Sequence, residues 1–101
     1  MMLLMNGVSI PDPQEMRVRC LPKVGGGLIR EVEAAWLEVP QGQTAAILGP
    51  CAAQVNLTFT DPMTGGRLTL PMLLTDSQAW LAREDGAGAV YARLSLTLRE
   101  G

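Results

Sequence analysis

The chain has 101 residues, of which 48% are hydrophobic and 18% are charged. A chain of this length typically forms one domain, and we predict a single β-rich domain over residues 1–101. Its formal net charge of −2 argues against a protein that neutralises many phosphates, so we expect no nucleic-acid partner. The apolar start is interrupted by Asn6-Gly7 and no Lys or Arg precedes it, so we expect a soluble intracellular protein with no membrane contact.

Turn residues divide the first part of the chain into short strands. Asn6-Gly7 is a favoured hairpin pair and predicts a small strand or hairpin near the N-terminus. Residues 15–21 alternate between apolar and polar side chains, which predicts a strand with Arg17 and Arg19 facing solvent or a partner.

A longer strand is predicted next. The glycine run at residues 25–27 predicts a flexible hairpin loop and does not have the lysine and hydroxyl spacing of a phosphate-binding loop. The alternation over residues 28–39 places Trp36 in the core and Glu31 and Glu33 on the opposite face.

The middle of the chain predicts a helix and then a hairpin. Residues 41–49 contain good helix formers and end at a Gly-Pro stop signal. Residues 55–60 and 68–74 alternate on either side of a turn at residues 61–66, which is the clearest hairpin pattern in the chain. Pro71 places the second arm of this hairpin at a sheet edge or at a bulge.

Extended structure is predicted for the C-terminal third. Residues 76–83 fit either one helical turn or an extended arm, and we favour the arm. Residues 90–98 alternate most regularly, and we expect this strand to pair with a neighbouring subunit if it lies at a sheet edge, since Arg93 is its only charge. The fold class is therefore mainly β, as a small antiparallel β-sandwich or partly open barrel with one short helix.

The residue types that carry most catalysis and metal binding are scarce. The chain contains no histidine, which excludes Ser-His-Asp and Cys-His arrangements and histidine-based metal sites. Cys20 and Cys51 are too far apart in sequence to form a CxxC pair, and no carboxylate spacing completes a two-cysteine zinc site. We expect both as reduced, buried, apolar residues.

Two carboxylate pairs are the remaining candidates for acid–base chemistry. Glu31 with Glu33, and Glu84 with Asp85, could stand roughly 5–10 Å apart, as glycoside hydrolysis requires. A solvated strand face and a polar turn explain them better, because nothing else indicates a sugar-binding cleft. We therefore expect a protein that is not an enzyme and that uses no cofactor or metal.

Charged side chains on the predicted strands form the candidate interface. Four arginines would make a basic stripe if their strands are neighbours, namely Arg17, Arg19, Arg93 and Arg99. Such a stripe could pair with the Glu31 and Glu33 face of another subunit, or it could only keep the sheet soluble.

Three segments together resemble a known group of proteins. They are residues 6–13 (NGVSIPDP), the strand that contains Trp36, and residues 61–66 (DPMTGG). In this order they resemble small tail-associated structural proteins of bacteriophages and prophages. The resemblance implies a tail or baseplate component that lies in the virion or, before assembly, in the bacterial cytoplasm.

Three functions follow from these observations. The first is a virion subunit that packs against copies of itself in a homo-oligomer or against other phage tail subunits. The second is a monomeric protein-binding module of phage origin, whose Glu-rich face would act as an acidic decoy. The third is a small carboxylate-dependent enzyme, which would be marked by a deep pocket converging on the carboxylates.

Overall fold

A computed structural model describes residues 2–100 of the chain. The elements within this range are β1 (Leu4–Met5), β2 (Val8–Ser9), β3 (Glu15–Pro22), β4 (Leu28–Pro40), α1 (Gln41–Leu48), a 3-10 helix (Gly49–Ala52), β5 (Val55–Thr60), β6 (Arg67–Asp85) and β7 (Gly88–Glu100). The prediction of a mainly β fold with one short helix is confirmed.

The seven strands of residues 2–100 belong to one antiparallel sheet with the order β2-β1-β5-β6-β7-β4-β3. The sheet is open, with β2 and β3 at its two edges, so these residues form no second sheet of a sandwich. The sheet also curls strongly. Arg30 on β4 donates to Asp61 at 3.0 Å, and Asp61 lies in the turn between β5 and β6. In a flat sheet, strands two or three places apart would stand roughly 10–14 Å from each other.

The predicted N-terminal hairpin is formed by β1 and β2. Its turn residues Asn6 and Gly7 have φ angles of 52° and 81°. Two consecutive positive φ angles are what a two-residue type I′ turn requires, and they explain why Asn-Gly is favoured there.

The core lies on the inner face of the curled sheet. Trp36 is 2% exposed, and its indole donates to the Pro11 carbonyl at 2.8 Å, which confirms its predicted burial. Ile47 of α1 packs into the same cluster and covers the inner face. The largest fully buried side chains of this core include Leu3, Met5, Leu57, Phe59, Met72, Leu94 and Leu98.

The last strand lies inside the sheet, so residues 90–98 do not offer the edge on which the expected pairing with a neighbouring subunit depended. β7 pairs with β4 on one side and with β6 on the other, and Leu96 stands opposite both Ala34 and Ser77. The regular alternation of this strand reflects a buried face between two partner strands.

Among residues 2–100, Pro71 lies at a local edge of the sheet, as its position in the sequence predicts. Both backbone groups of Asn56 bond to Asn6, so Pro71, which is opposite Asn56, turns its nitrogen away from β5. On that side the described pairing of β6 with β7 stops at Met72 opposite Glu100, so within residues 2–100 the missing N–H of Pro71 interrupts no ladder hydrogen bond.

The two cysteines are free thiols in different surroundings. Cys51 is buried, as predicted, and burial raises the pKa of its thiol, which makes it unreactive. Cys20 lies on the edge strand β3 and is only half-buried, so the expectation of full burial is wrong for it. Its position near a sheet edge makes it an accessible chemical reporter for that edge.

Candidate interaction surfaces

The face of the sheet opposite the core carries a network of ion pairs, which we call the charged face. Its members come from β3, β4 and β7, which are neighbours in the sheet, and they are Glu15, Arg17, Arg19, Glu31, Glu33, Arg93 and Arg99. All five residues predicted as a possible interface therefore lie on one surface. The antiparallel register brings them together, because it places Glu31 of β4 opposite Arg19 on one side and Arg99 on the other.

Glu31 is the centre of this network. Its side chain is 6% exposed, and one carboxylate oxygen accepts from Arg19 at 3.2 Å. The other oxygen accepts two hydrogen bonds from Arg99, at 2.7 and 3.1 Å. A buried carboxylate is tolerated only when it is paired and hydrogen-bonded, and the two arginines meet that condition while their own side chains stay about half exposed.

The remaining charges of this face are also paired within the chain. Glu33 contacts Arg17 at 2.5 Å, and Glu15 contacts Arg93 at 3.6 Å. A cavity of about 290 Å³ on this face is lined by these four side chains, so each carboxylate in it faces a guanidinium. This surface therefore does not present carboxylates without a cationic partner, which a glycoside hydrolase or an acidic decoy would need.

A second surface is formed by β6 where it extends beyond the core. β6 pairs with β5 only through Arg67–Met72, whereas it pairs with β7 through Met72–Asp85. From residue 73 to residue 85, the side of β6 that faces away from β7 has no partner strand among residues 2–100. We call residues 73–85 the free edge.

The free edge lies on an arm that gives the molecule its elongated shape. Every residue from Thr75 to Asp85 is exposed, and the arm consists of this part of β6 and the opposing part of β7. A 19-residue strand reaches roughly 60 Å when fully extended, which agrees with a long axis of 52 Å beside short axes of 24 and 23 Å. The prediction of extended structure over residues 76–83 is confirmed.

Large apolar side chains stand exposed on the free edge. Leu73 and Trp80 are each 49% exposed and Leu81 is 54% exposed. The Arg93 guanidinium lies 6.0 Å from the centre of the Trp80 ring, within the range of a cation–π contact, and so connects the arm with the charged face.

Trp80 and Leu81 are not among the residues predicted to form an interface. The available signal is the absence of apolar alternation over residues 75–85, which indicates that neither face of this strand segment is buried. Two apolar residues in such a segment mark an exposed patch.

The free edge is protected against strand pairing at its ends but not at its centre. Register shifts interrupt its pairing with β7 near Thr75, between Trp80 and Leu81, and near Ala82, and charged residues occupy position 76 and positions 83–85. Residues 77–80, between Asp76 and the second register shift, contain no charge and no proline and pair with β7 in unbroken register. Charges, prolines and bulges are the devices that proteins use to block an exposed edge, so the centre of this one is open to a further strand.

An ion pair away from both surfaces stabilises the curl of the sheet. Arg30 donates to the two carboxylate oxygens of Asp61 at 3.2 and 3.0 Å. Asp61 also accepts from the Met63 backbone N–H, and these hydrogen bonds hold the pKa of its carboxyl below its usual value.

This pKa shift predicts an acid-dependent stability. Because the pKa of Asp61 is lower in the folded than in the unfolded chain, its contribution is complete above the unfolded value near 3.9 and is lost as the pH falls through the folded value. We expect the unfolding free energy of Asp61→Asn, measured in urea from neutral to acidic pH, to fall less steeply on the acid side than that of the wild type. Asp76→Asn, at an exposed position on the arm, is the matched control and should keep the wild-type slope. Parallel acid limbs for Asp61→Asn and the wild type would contradict the assignment.

Comparison of the chain with protein-family models, with curated proteins and with solved structures found no match. No helix within residues 2–100 has the length and apolar character needed to cross a membrane. The same residues contain no group of three or more His, Cys, Asp or Glu side chains placed to hold a metal ion.

Proposed function

We propose that this protein is a structural component of a bacteriophage or prophage tail or baseplate, and that it acts by packing against copies of itself or against other tail subunits. The proposal combines the resemblance of residues 6–13 and 61–66 to tail-associated proteins with one structural observation. That observation is the free edge of β6, which is long, exposed and open at its centre. On this proposal the protein is not an enzyme, and it is located in the virion or, before assembly, in the bacterial cytoplasm.

The free edge supports a role in assembly for a physical reason. An exposed edge strand presents a row of unpaired N–H and C=O groups, and an added strand forms main-chain hydrogen bonds with them. Trp80 and Leu81 supply apolar area at the centre of that row, and tryptophan is among the residues that contribute most to binding energy at interfaces. A partner strand would therefore obtain both hydrogen bonds and apolar burial at one place.

The same edge also fits the second candidate, a monomeric binding module that accepts a strand from a foreign protein. The exposed Trp80 favours this candidate as well, because an aromatic anchor serves any partner strand. The two functions differ in where the protein resides, since only a tail component is incorporated into phage particles.

The test is to delete the gene from the phage or prophage that carries it and to complement the deletion. We expect particles with defective tails after deletion, restoration by the wild-type chain, and antibody labelling of the restored tails in electron micrographs. Ala79→Pro, which should fold but block the free edge, is expected not to restore infectivity. Normal tails after deletion, together with no labelling of wild-type particles, would refute a tail role and favour the monomeric module.

A further inference from the structure

The molecule carries a second open edge that complements the free edge of β6. β3 ends the sheet on the side of β4, and among residues 2–100 it pairs with β4 only. None of its eight residues is fully buried. An edge strand of this length can cover most of the uncharged centre of the free edge.

Hydrogen bonding shows which residues of β3 present backbone groups outward. Gln14 donates its backbone N–H to the Ala35 carbonyl, so the backbone groups of Ala35 face β3. The direction of the backbone N–H and C=O groups alternates along a strand. Those of Glu33 in β4 therefore also point to β3, and those of Arg17, opposite Glu33, point to β4. Every second residue of β3 therefore turns its backbone N–H and C=O groups to the open side. These residues are Met16, Val18 and Cys20.

The same alternation identifies the outward groups of the free edge. Since Ala35 faces β3, Ser95, which is opposite Ala35 in β7, faces β6 and bonds to Gln78. Ser77 and Ala79 on either side of Gln78 therefore present their N–H and C=O groups to the open side.

The side chains on the two edges also match in direction. Ser77 and Ala79 stand opposite Leu96 and Leu94, so their side chains lie on the core side of the sheet. Val18 is partly buried against the core, and the side chain of Cys20, two residues further on, lies on the same side. Joining the two edges would extend the sheet from one molecule into the next, core side to core side and charged face to charged face.

Charge favours pairing between the two different edges over pairing of the free edge with itself. Residues 73–85 have a net charge of −2, from Asp76, Glu84 and Asp85 against Arg83. Residues 15–23 have a net charge of +2, from Arg17, Arg19 and Lys23 against Glu15. Two free edges would repel each other, whereas β3 adds no such repulsion, since its arginines are balanced by Glu31 and Glu33 of β4 and keep exposed donors for a carboxylate.

We infer that the free edge of one copy of this protein pairs antiparallel with β3 of a second copy, with Ser77 opposite Cys20. This alignment places Trp80 opposite Arg17, whose side chain is 63% exposed and has hydrogen-bond donors to spare. It also brings Asp76 diagonally within reach of Arg19. The inference rests on the proposed function, because it names the partner that the free edge would bind during assembly.

The contact is head-to-tail, because it joins two different surfaces of identical molecules. Each copy uses its free edge toward one neighbour and its β3 toward the other. Such contacts continue until a ring closes, or they form a filament if the rotation between copies does not close.

Intermolecular disulfide formation tests the alignment directly. Directly opposite residues of a hydrogen-bonded antiparallel pair have Cα atoms about 5.5 Å apart, which a disulfide can span. We expect Ser77→Cys to form covalent dimers, trimers and larger species with oxidised glutathione as oxidant, through Cys20 of the next copy. Gln78→Cys places the thiol on the opposite face of the same strand and is expected to remain monomeric on a non-reducing gel. Ser77→Cys with Cys20→Ser should also remain monomeric.

A second measurement needs no new cysteine. Pairing through β3 should protect Cys20 of the wild-type chain from alkylation more strongly as the protein concentration rises, and Ala79→Pro should remove that protection. Covalent dimers that persist in the Cys20→Ser background would instead show pairing of two free edges and overturn the inference. Monomers throughout, with Cys20 alkylated at one rate at all concentrations, would overturn it too. If either of these contradicting outcomes were found together with antibody-labelled phage tails, the head-to-tail contact would be refuted and the tail role would stand.

Discussion

Replacing Trp36 with alanine is expected to lower the free energy of unfolding by about 3–5 kcal/mol, the usual cost of truncating a buried aromatic side chain. The indole is 2% exposed, and its N–H donates to the Pro11 carbonyl, which ties the segment before β3 to the centre of β4. The variant loses this hydrogen bond and leaves a cavity among the core leucines. For a domain with a total stability of roughly 5–15 kcal/mol, this loss is enough to unfold a large fraction of the chain in moderate denaturant.

Trp80→Ala is the matched control, because it removes the same side chain from the arm. Trp80 is 49% exposed and its ring centre lies 6.0 Å from the Arg93 guanidinium, so we expect a loss of less than about 1 kcal/mol. Urea unfolding followed by circular dichroism compares the two variants without depending on tryptophan fluorescence. Equal losses for the two variants would contradict the assignment of Trp36 to the core and Trp80 to the surface.

A proline in β7 is expected to unfold the protein, whereas a proline on the free edge is not. The backbone groups of Leu96 face β4, because those of its neighbour Ser95 face β6. Leu96→Pro therefore removes a ladder hydrogen bond and leaves an unpaired carbonyl, at about 1–3 kcal/mol, and it truncates a core leucine, at about 2–5 kcal/mol. The combined loss is comparable to the total stability of a small domain.

Ala79→Pro tests the other side of the same sheet. The Ala79 N–H points to the open side of β6 and makes no bond to β7, so its loss should change the unfolding free energy by less than about 1 kcal/mol. Gln78→Pro, one residue away, removes an N–H that bonds to β7 and should be clearly less stable than Ala79→Pro. The far-ultraviolet circular dichroism of the three variants checks the order. A folded Leu96→Pro beside an unfolded Ala79→Pro would show that β7 is the edge and β6 is internal.

Local sequence patterns determined the individual elements of this fold. The Asn6-Gly7 turn, the short helix after Pro40 and the burial of Trp36 are all encoded within a few residues. Turn chemistry and the period-two alternation act over that short range, so they can be recognised in a single sequence. The same patterns placed Arg17, Arg19, Glu31, Glu33 and Arg93 on polar strand faces, where the structure has them.

Only the tertiary structure decided which strands are neighbours, and with them the functional surfaces. Alternation shows that a strand has a buried face but carries no information about its lateral partners, because backbone hydrogen bonds do not depend on side-chain identity. Alternation therefore did not show that the final strand is central, nor that residues 73–85 form the free edge. The order of the strands likewise placed Glu31 between Arg19 and Arg99, so that charges expected to attract another subunit are neutralised within one chain.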